Sequence, residues 1–379
     1  MSKLLSYDVA IIGGGLAGLS LSIQLARAGY QVAVFEKEQY PFHRVCGEYI
    51  SLESWEFLKR LGVDPASLKV SRINKLLVTG ATGGVLEQSL PLGGFGVSRY
   101  LLDHTLAKQA RADGVHLFEN TKITDVIANE DAASIISTSQ NFSARIACAG
   151  FGKRSNLDVK WERPFTLAAK KNQPNYIGVK YHVQSNFPED IIALHLFNDG
   201  YCGMVKIEGD KYNLCYLTTA SNLRKCNGSI EKMEATILSK NPFLEKIFSQ
   251  KGDWRSQPLT ISQVSFAPKT QVEQHVLLVG DAAGMITPLC GNGMSMALHG
   301  SQVAAQALIL FLHGKISRLE LEQRYQQEWQ QHFSRRLRMG RRVQKLAAHP
   351  SLARMAIGIG NQFPSLFQWM IRQTHGQPF

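Results

Sequence analysis

The chain has 379 residues, of which 44% are hydrophobic and 19% charged, and its formal net charge is +12. This composition excludes a disordered or collagen-like chain, and the low cysteine content excludes a small fold held together by disulfides. The length predicts two interleaved domains, and because no wholly apolar stretch reaches about 18 residues, no helix that spans a bilayer is predicted.

The first predicted element is a strand close to the N-terminus. The apolar run Val9–Ile12 is too short for the hydrophobic region of a signal peptide, so we expect a cytoplasmic protein. None of the cysteines forms a CxxC pair, so zinc binding and dithiol redox chemistry are not expected and the thiols are expected to be reduced. These cysteines are Cys46, Cys148, Cys202, Cys215, Cys226 and Cys290.

The next segment predicts a complete strand–helix–strand unit. A strand over Asp8–Ile12 leads into the loop GGGLAG (13–18), a helix over Leu19–Ala28 and a second strand over Gln31–Phe35. Such a loop between a strand and a helix is typical of dinucleotide binding.

Three glycines of this loop suit that role. Gly13 permits the tight turn, Gly15 lets the backbone approach a pyrophosphate, and Gly18 lets the helix and the strand pack closely. Glu36, 21 positions after Gly15, can accept a hydrogen bond from a ribose 2′-hydroxyl and would repel the 2′-phosphate of NADP. The unit therefore predicts a site for FAD or NAD.

The middle of the chain predicts a sheet, followed by a helical stretch over Asn222–Phe248. Turns at 198–200 and 208–210 separate short strands, and the second turn is a strong hairpin signal. The predicted strands are Tyr176–Val183, Ile191–Phe197, Tyr201–Glu208 and Lys211–Thr219.

Further along, a strand over His275–Val279 leads into GDAAG (280–284), then into the turn 291–294 and a helix that ends at Leu312. With GGGLAG, Glu36, the segment RVCGE (44–48) and VSR (97–99), this pattern resembles the para-hydroxybenzoate-hydroxylase-like FAD oxidoreductases, in particular their geranylgeranyl-reductase branch. The resemblance covers about residues 5–312. It implies an α/β fold: a Rossmann-type FAD-binding domain, an inserted antiparallel-sheet substrate domain and C-terminal helices.

The resemblance also implies site residues. Asp281 would bond the ribityl chain of FAD, and Arg44 and Arg99 would lie near its phosphates or flavin edge, although a surface ion pair is the alternative for each arginine and a helix N-cap for Asp281. The turn at 291–294 opens a helix, so its N–H groups can face flavin N1 and O2. The expected FAD-binding residues are Gly13, Gly15, Leu16, Ala17, Gly18, Glu36, Lys37, Arg44, Cys46, Gly47, Arg99, Gly280, Asp281, Gly291, Asn292, Gly293 and Met294.

Departures from neighbouring subfamilies narrow the reaction. Ala149 stands where the aromatic hydroxylases carry the Asp of an Asp-Gly pair, and the strand 200–206 lacks the paired tryptophans and the proline of the halogenases. The Tyr201 strand instead resembles one that lines an apolar pocket in geranylgeranyl reductases. Cys46 resembles a cysteine near the flavin of that branch, where Arg44 and His43 would supply positive potential, or it is a small buried hydrophobe. Glu48 is expected to form a structural salt bridge, and the alternatives are that it orients the loop or acts as an acid or base.

The predicted domains are discontinuous. Residues 1–70, 95–160 and 270–312 would form the FAD-binding domain, residues 71–94 and 161–269 the substrate-binding sheet domain, and residues 313–379 a basic helical region.

This C-terminal region predicts a long helix over Leu319–Ala348 and apolar helical stretches over Leu352–Ile359 and Phe363–Ile371. From residue 331 to 379 there are eight basic and no acidic residues, which leaves +4 for the rest of the chain. Three interpretations follow: packing on the FAD domain with a solvated basic face, peripheral association with an anionic membrane, or a cap on the substrate tunnel. Nucleic-acid binding is not expected, since no recognition motif is present.

Two reactions on a lipophilic small molecule remain open. In the first, a carbon–carbon double bond is reduced and Cys46, Tyr201 or water delivers the proton. In the second, oxygen is captured beside Pro288 and an aromatic or polyketide-type substrate is hydroxylated. NADH or NADPH is the expected electron donor of either reaction, although the absence of an Asp at position 149 argues against NADPH. A flavin- or lipid-binding protein without catalytic activity is the alternative of another class.

Overall fold

The computed structural model describes residues 5–168, 175–250, 252 and 254–379. The described strands, in chain order, are β1 (Leu5–Ile12), β2 (Val32–Phe35), β3 (Tyr49–Ser51), β4 (Arg72–Thr79), β5 (Val85–Gly96), β6 (His116–Phe118), β7 (Ile123–Ala128), β8 (Ala133–Ser137), β9 (Asn141–Ala149), β10 (Tyr176–Val183), β11 (Ile191–Phe197), β12 (Gly200–Lys206), β13 (Tyr212–Thr219), β14 (Leu259–Val264), β15 (Val272–Glu273) and β16 (Val276–Leu278).

The described α-helices are α1 (Leu16–Arg27), α2 (Trp55–Arg60), α3 (Arg99–Ala112), α4 (Asn156–Lys160), α5 (Pro164–Ala168), α6 (Ala220–Lys225), α7 (Ile230–Thr236), α8 (Pro242–Phe248), α9 (Gly293–Leu312), α10 (Arg318–Ala348), α11 (Pro350–Gln362) and α12 (Pro364–Arg372). Short 3₁₀ turns at Gly280–Ala282 and Pro288–Cys290 lead into α9.

The first sheet has the order β15-β16-β9-β1-β2-β6. In addition, β8 pairs with β9, and β7 pairs with β8. Its centre is parallel: Val9 pairs with Val32 on β2, and Ile12 pairs with Ala149 on β9. Residues Val9–Ile11 are fully buried, as expected for a parallel strand covered on both faces. Helix α1 packs against α3 and α9, so the first sheet and these helices form one unit; we call it the FAD domain because it contains the segments predicted to bind FAD.

The second sheet has the order β14-β10-β13-β12-β11-β4-β5-β3. Most of its pairs are antiparallel, but β11 runs parallel to β4, so the sheet is mixed rather than purely antiparallel. Strand β3 pairs with β5 and belongs to this sheet, although it falls within the range 1–70 assigned to the other domain. The end of β5 falls within the range 95–160, which was also assigned to the other domain, but it too belongs to the second sheet. The predicted boundaries differ from the structure at both places because the chain crosses from one sheet to the other there.

Most of the predicted elements agree with the structure, and two differ. The helix of the first unit begins at Leu16 rather than Leu19, directly after the glycine loop. The stretch 222–248 is not one helix but α6, α7 and α8 with a 3₁₀ turn between the last two. It breaks where Asn227 and Gly228 take positive φ angles and where Asn241 caps α8 by accepting a hydrogen bond from Phe243 N.

The basic helical region packs on the rest of the molecule. Trp329, Phe333 and Leu337 lie four residues apart on α10 and are all buried in the core of the FAD domain, where α10 contacts α9. Helices α11 and α12 contact β5 of the second sheet instead. The packing predicted by the first interpretation is therefore confirmed for α10, whereas the membrane and cap interpretations stay predictions.

One described helix, α9, is long and apolar enough to meet the length and composition criterion for a membrane span. The expectation that no such helix exists was too strict. However, 67% of the apolar window is buried inside the protein, so α9 is a core helix that meets the same criterion.

Candidate active site

The glycine loop is packed too tightly for a side chain at Gly13 or Gly18. Gly13 has a φ of +106°, and a Cβ at Gly18 would lie 2.0 Å from the carbonyl oxygen of Gly13. By contrast, the nearest atom to a Cβ at Gly15 is Arg99 Nη2 at 3.5 Å. The loop is therefore packed on the side of β1 and α1 and open at Gly15, where a pyrophosphate would approach.

Glu36 lies at the end of β2, beside this loop. Its Oε2 accepts hydrogen bonds from Gly14 N (3.0 Å) and Arg44 Nη2 (2.8 Å), and its Oε1 accepts one from Glu38 N (3.2 Å). Only 3% of the residue is exposed. The carboxylate is thus fixed in position next to the opening at Gly15, where a ribose hydroxyl can donate to it.

Arg44 and Arg99 are brought together by a residue that sequence analysis missed. Asp103 Oδ2 accepts from Arg44 Nε (3.2 Å) and Arg99 Nη2 (2.7 Å), and its Oδ1 accepts from Arg99 Nε (2.7 Å). Burial alone would lower the pKa of Arg99, but the adjacent Asp103 carboxylate outweighs burial and raises it. Both arginines line the cavity beside the glycine loop, so they are not simple surface ion pairs.

Asp281 lies on the opposite side of the same opening. Gly280 has a φ of +62°, and a Cβ there would lie 2.9 Å from Ala17 Cβ, which keeps the GDAAG loop against the start of α1. The backbone oxygen of Asp281 accepts from Lys269 Nζ at 2.8 Å. Within the described part of the chain its carboxylate has no hydrogen-bond donor, so it is available to bond the ribityl hydroxyls of FAD.

The start of α9 faces the same cavity. Gly291 has a φ of +66°, and Gly291, Gly293 and Met294 line the cavity together with Pro288. The first N–H groups of this 20-residue helix are suited to negative charge. Asn292 behaves differently from the expectation: its fully buried side chain does not line the cavity but donates from Nδ2 to the backbone oxygen of Thr374 at 2.9 Å.

The remaining expected FAD-binding residues lie around this opening. Leu16 and Ala17 are buried at the start of α1, and Cys46 and Gly47 line the cavity on the loop before β3. Lys37 lies at the rim, where its side chain is 63% exposed and pairs with Glu38 at 3.5 Å.

The loop that carries Cys46 is held by three side chains from distant parts of the chain. Lys180 Nζ donates to the backbone oxygen of Arg44 (3.1 Å), Lys153 Nζ to that of Val45 (2.9 Å) and Asn213 Nδ2 to that of Cys46 (3.2 Å). The backbone of the loop is therefore fixed, and Cys46 itself is partly exposed toward the cavity.

Glu48 ends this loop and is fully buried with a φ of +54°. It accepts hydrogen bonds from His182 Nε2 (2.8 Å), Arg99 N (2.8 Å) and Lys180 Nζ. Burial alone would raise the pKa of Glu48, but the hydrogen bond from His182 and the charge of Lys180 hold it below its ordinary value. The residue forms a buried salt bridge, which agrees with the structural role expected for it.

His43 does not supply the positive potential expected near Cys46. Burial lowers the pKa of His43, and the neighbouring His182 and Lys180 lower it further. The ring is therefore neutral at pH 7, and Arg44 is itself paired with Glu36 and Asp103.

Most of the expected FAD-binding residues line one continuous cavity of about 970 Å³, whereas Gly13, Gly18, Glu36 and Asn292 lie behind its lining. We call the part beside residues 13–18, 36–48, 99, 150–154, 280–281, 288 and 290–294 the dinucleotide half. The other part, the apolar half, lies between the second sheet and helices α10 to α12. Its lining includes Leu76, Val78, Leu86, Leu90, Ile192, Leu194, Leu196, Tyr201, Met204, Val205, Met285, Leu289, Val343, Leu346, Ala353, Ile357, Phe367, Met370 and Ile371.

Tyr201 belongs to the apolar half. It is 5% exposed on β12, and burial raises its pKa well above 10, so its phenol holds its proton. Gly203, two residues along the same strand, leaves space: the nearest atoms to a Cβ there are 3.7 Å away. The strand thus combines a polar group and an open position, as the resemblance implies for a strand that lines an apolar pocket.

The dinucleotide half fits FAD. It offers a glycine cradle that a Cβ would fill, a fixed carboxylate at the end of β2, a second carboxylate at Asp281 and a long helix that begins at the cavity. In the part of the chain that the structure describes, no group of three or more metal-ligating side chains is found.

Comparisons with known proteins agree with this assignment. The chain is 26% identical over 364 residues to conditioned medium factor receptor 1 of Dictyostelium discoideum (88% of this chain, 69% of that protein) and 23% identical over 371 residues to a menaquinone reductase of Mycolicibacterium smegmatis (90% and 85%). It is also 23% identical over 322 residues to digeranylgeranylglycerophospholipid reductase 1 of Methanothermobacter thermautotrophicus (79% and 76%).

The fold is similar to that of the flavin-dependent brominase Bmp2, with a TM-score of 0.77 at 19% identity over 97% of this chain and 93% of that one. A family model described as FAD binding domain matches residues 6–339, which include the whole glycine loop, the second sheet and most of α10. The chain therefore belongs to the FAD binding domain family, and it is an FAD-dependent oxidoreductase.

Proposed function

We propose that this FAD-dependent oxidoreductase reduces a carbon–carbon double bond in a long lipophilic molecule, as geranylgeranyl reductases do. The observation that carries the proposal is the lining of the apolar half. Among the described residues, the charged ones that line the cavity lie on the dinucleotide side, on loops 36–48, 150–154 and 280–281 and at Arg99. The side chains from β4, β5, β11 and β12 that line it are uncharged, so the pocket favours an apolar chain over a charged substrate.

Saturating a double bond needs two electrons and two protons. Bound FAD supplies the two-electron redox chemistry. The residues of the chain hold FAD in the dinucleotide half, exclude water from the apolar half and provide a proton near the reacting carbon. NADH or NADPH is the electron donor that we propose to reduce the flavin.

Two side chains are placed to hold that proton. Cys46 lies on a fixed loop on the dinucleotide side of the cavity, and Tyr201 faces the same cavity from β12. Because burial raises the pKa of Tyr201 far above neutrality, its phenol is a poor acid but a good hydrogen-bond donor. We therefore assign proton delivery to Cys46 and substrate orientation to Tyr201.

Two further observations favour reduction over hydroxylation. Ala149, fully buried at the end of β9, stands where aromatic hydroxylases carry a carboxylate. Two of the related proteins are named as reductases, one of menaquinone and one of a digeranylgeranyl phospholipid. Menaquinone and a digeranylgeranyl phospholipid are both large lipophilic molecules, which is the class of substrate that the apolar half would accept.

The test is a product analysis under argon. The purified flavoprotein is reduced, a polyprenyl phospholipid is added in detergent, and the lipid is examined by mass spectrometry. We expect the lipid to gain two hydrogen atoms without oxygen, and its fully saturated counterpart to remain unchanged. A lipid or phenol that is modified only when oxygen is admitted, and that gains one oxygen atom, would replace the proposal with a monooxygenase.

A further inference from the structure

Helices α11 and α12 expose an unusual number of apolar side chains. Met355, Phe363 and Trp369 are 55%, 57% and 50% exposed, and Leu366 is 48% exposed. Helix α12 has no buried residue along its nine positions. Single exposed apolar residues are ordinary on a protein surface, but a run of them on two consecutive helices marks a surface that binds something. We call these four residues, with Leu352 and Ile359, the apolar outer face.

The opposite faces of the same helices are already in use. Ala353 and Ile357 are buried, and they join Phe367 and Ile371 in the apolar cluster beneath. These inner side chains also line the apolar half of the cavity. The two helices therefore separate the cavity from the outside, and their outer face has no partner within the described chain.

The chain segment that carries this surface has charges of one sign. From residue 331 to 379 the sequence contains no Asp or Glu. Arg338, Arg342 and Lys345 follow one another at helical spacing on the exposed side of α10, and α10 contacts α11. Within the described residues, no carboxylate lies within salt-bridge distance of these three cations or of Arg372 on α12, so their charge is not neutralised by the protein.

We propose that the apolar outer face, with the cations of α10 and α12, docks this protein on an anionic lipid bilayer. A bilayer surface matches both features: acyl chains and headgroup boundaries accept Phe, Trp, Leu and Met side chains, and anionic headgroups pair with Arg and Lys. A nucleic acid would leave the apolar residues in water. A second copy of this chain would bring like charges together.

Docking in this orientation would also serve the substrate. Helices α11 and α12 form a wall of the apolar half. A lipid from the membrane would therefore enter the cavity by passing between or beside these two helices. This route rests on the proposed function, whereas the docking itself does not depend on any reaction.

Sedimentation with vesicles tests the docking. The whole flavoprotein is mixed with vesicles that contain phosphatidylglycerol or with vesicles of phosphatidylcholine alone, and no substrate is present. We expect binding to the anionic vesicles to be at least about tenfold tighter, with salt weakening it. We also expect the fluorescence of Trp369 to shift to shorter wavelength on binding, a shift that Trp369→Phe removes.

Variants locate the surface. Leu366→Ser with Trp369→Ser should weaken binding to anionic vesicles about tenfold or more, and each of Arg338→Gln and Arg342→Gln by about fivefold. Ile127→Ser is the matched control, because Ile127 is 61% exposed on β7 of the FAD domain and should change nothing.

Equal affinity for both kinds of vesicle, no binding to either, or unchanged binding of the double variant would overturn the proposal. So would a concentration-dependent dimer that the double variant abolishes, because the outer face would then be covered by a second copy. Each result is read without turnover, so a failure here leaves the proposed reaction untouched, and a failure of that reaction leaves the docking untouched.

Discussion

The dinucleotide half and the apolar half of the cavity are adjacent, yet the residues that form them are distributed differently along the sequence. The dinucleotide half is built mainly from short contiguous motifs, in which Gly13–Gly18 and Glu36 belong to one strand–helix–strand unit. The apolar half is built from single side chains on β4, β5, β11 and β12 and on the C-terminal helices, far apart along the chain. The first half determines which cofactor is bound, and the second determines which substrate can enter.

The electrostatics of the two halves differ in the same way. Charged groups on the dinucleotide side are fixed in pairs, such as Arg99 with Asp103 and Glu48 with Lys180. In the apolar half, Tyr201 provides a polar group that remains uncharged. If this division is correct, substitutions in one half should affect FAD content or stability, and substitutions in the other should affect turnover and substrate choice.

The largest effect is expected from Gly18→Val, which should abolish FAD binding. A Cβ at this position would lie 2.0 Å from a backbone oxygen of the same loop, so the loop must open and lose the shape that receives the pyrophosphate. The visible flavin spectrum of the purified protein measures this. Gly358→Ala is the matched control, since nothing lies within 4 Å of a Cβ there. A yellow Gly18→Val protein with full flavin content would show that the loop does not bind FAD.

Glu48→Gln should lower the free energy of unfolding by about 3 kcal/mol, because it leaves the buried ammonium of Lys180 without its carboxylate. Urea denaturation followed by fluorescence measures the change. Glu56→Gln removes a carboxylate that is 63% exposed from the ion pair with Lys59, whose side chain is 44% exposed, and should hardly move the midpoint. An unchanged midpoint for Glu48→Gln would mean that the salt bridge does not stabilise the fold.

The same residue makes stability depend on pH. Since the pKa of Glu48 is below 4.5 in the folded protein, its contribution is complete above that pH and is lost as the pH falls through the folded value. The wild-type protein should therefore lose more stability than Glu48→Gln between neutral pH and pH values below 4.5. Parallel losses in the two proteins would contradict this assignment.

Cys46→Ser should lower the turnover number about 100-fold while FAD remains bound, because a hydroxyl is a far weaker acid than a thiol. Cys226→Ser, in the buried cluster between the second sheet and α6–α8, is the control and should keep its turnover. If Cys46→Ser turns over at the wild-type rate, Cys46 is a packing residue and the proton comes from Tyr201 or water.

A smaller and more selective effect is expected from Gly203→Leu. The added side chain would extend from β12 into the apolar half, because the nearest atoms are 3.7 Å from the first added carbon. We expect kcat/KM for a long-chain substrate to fall about tenfold, with FAD content and turnover of a short-chain analogue unchanged. Equal losses of activity with long and short substrates would mean that the long substrate does not occupy this part of the cavity.

The sequence was sufficient for the parts of the site that a local motif contains. The glycine loop, Glu36 and the start of α9 lie where their spacing predicts. Asp103 was missed although it stands four residues after Arg99 on α3, a spacing that signals an ion pair on a helix. The geometry of that pair could have been inferred.

Other contacts could not have been inferred from one sequence. Lys180 is 132 positions from Glu48, and their pairing depends on how β10 is placed beside the Cys46 loop. The lining of the apolar half could not be predicted either. In the sequence, Leu76, Ile192 and Ile357 occur in the same hydrophobic pattern as ordinary core residues. Only the tertiary structure shows that they surround a space rather than fill one.

The central claim is that a double bond held in the apolar half accepts electrons directly from FAD in the dinucleotide half. The most direct measurement is the absorbance of the reduced flavoprotein under argon after a polyprenyl phospholipid is mixed with it. We predict that the oxidised flavin spectrum returns in proportion to the unsaturated lipid added, and that the fully saturated lipid has no effect. A flavin that stays reduced with every lipid and is reoxidised only by oxygen would contradict the claim.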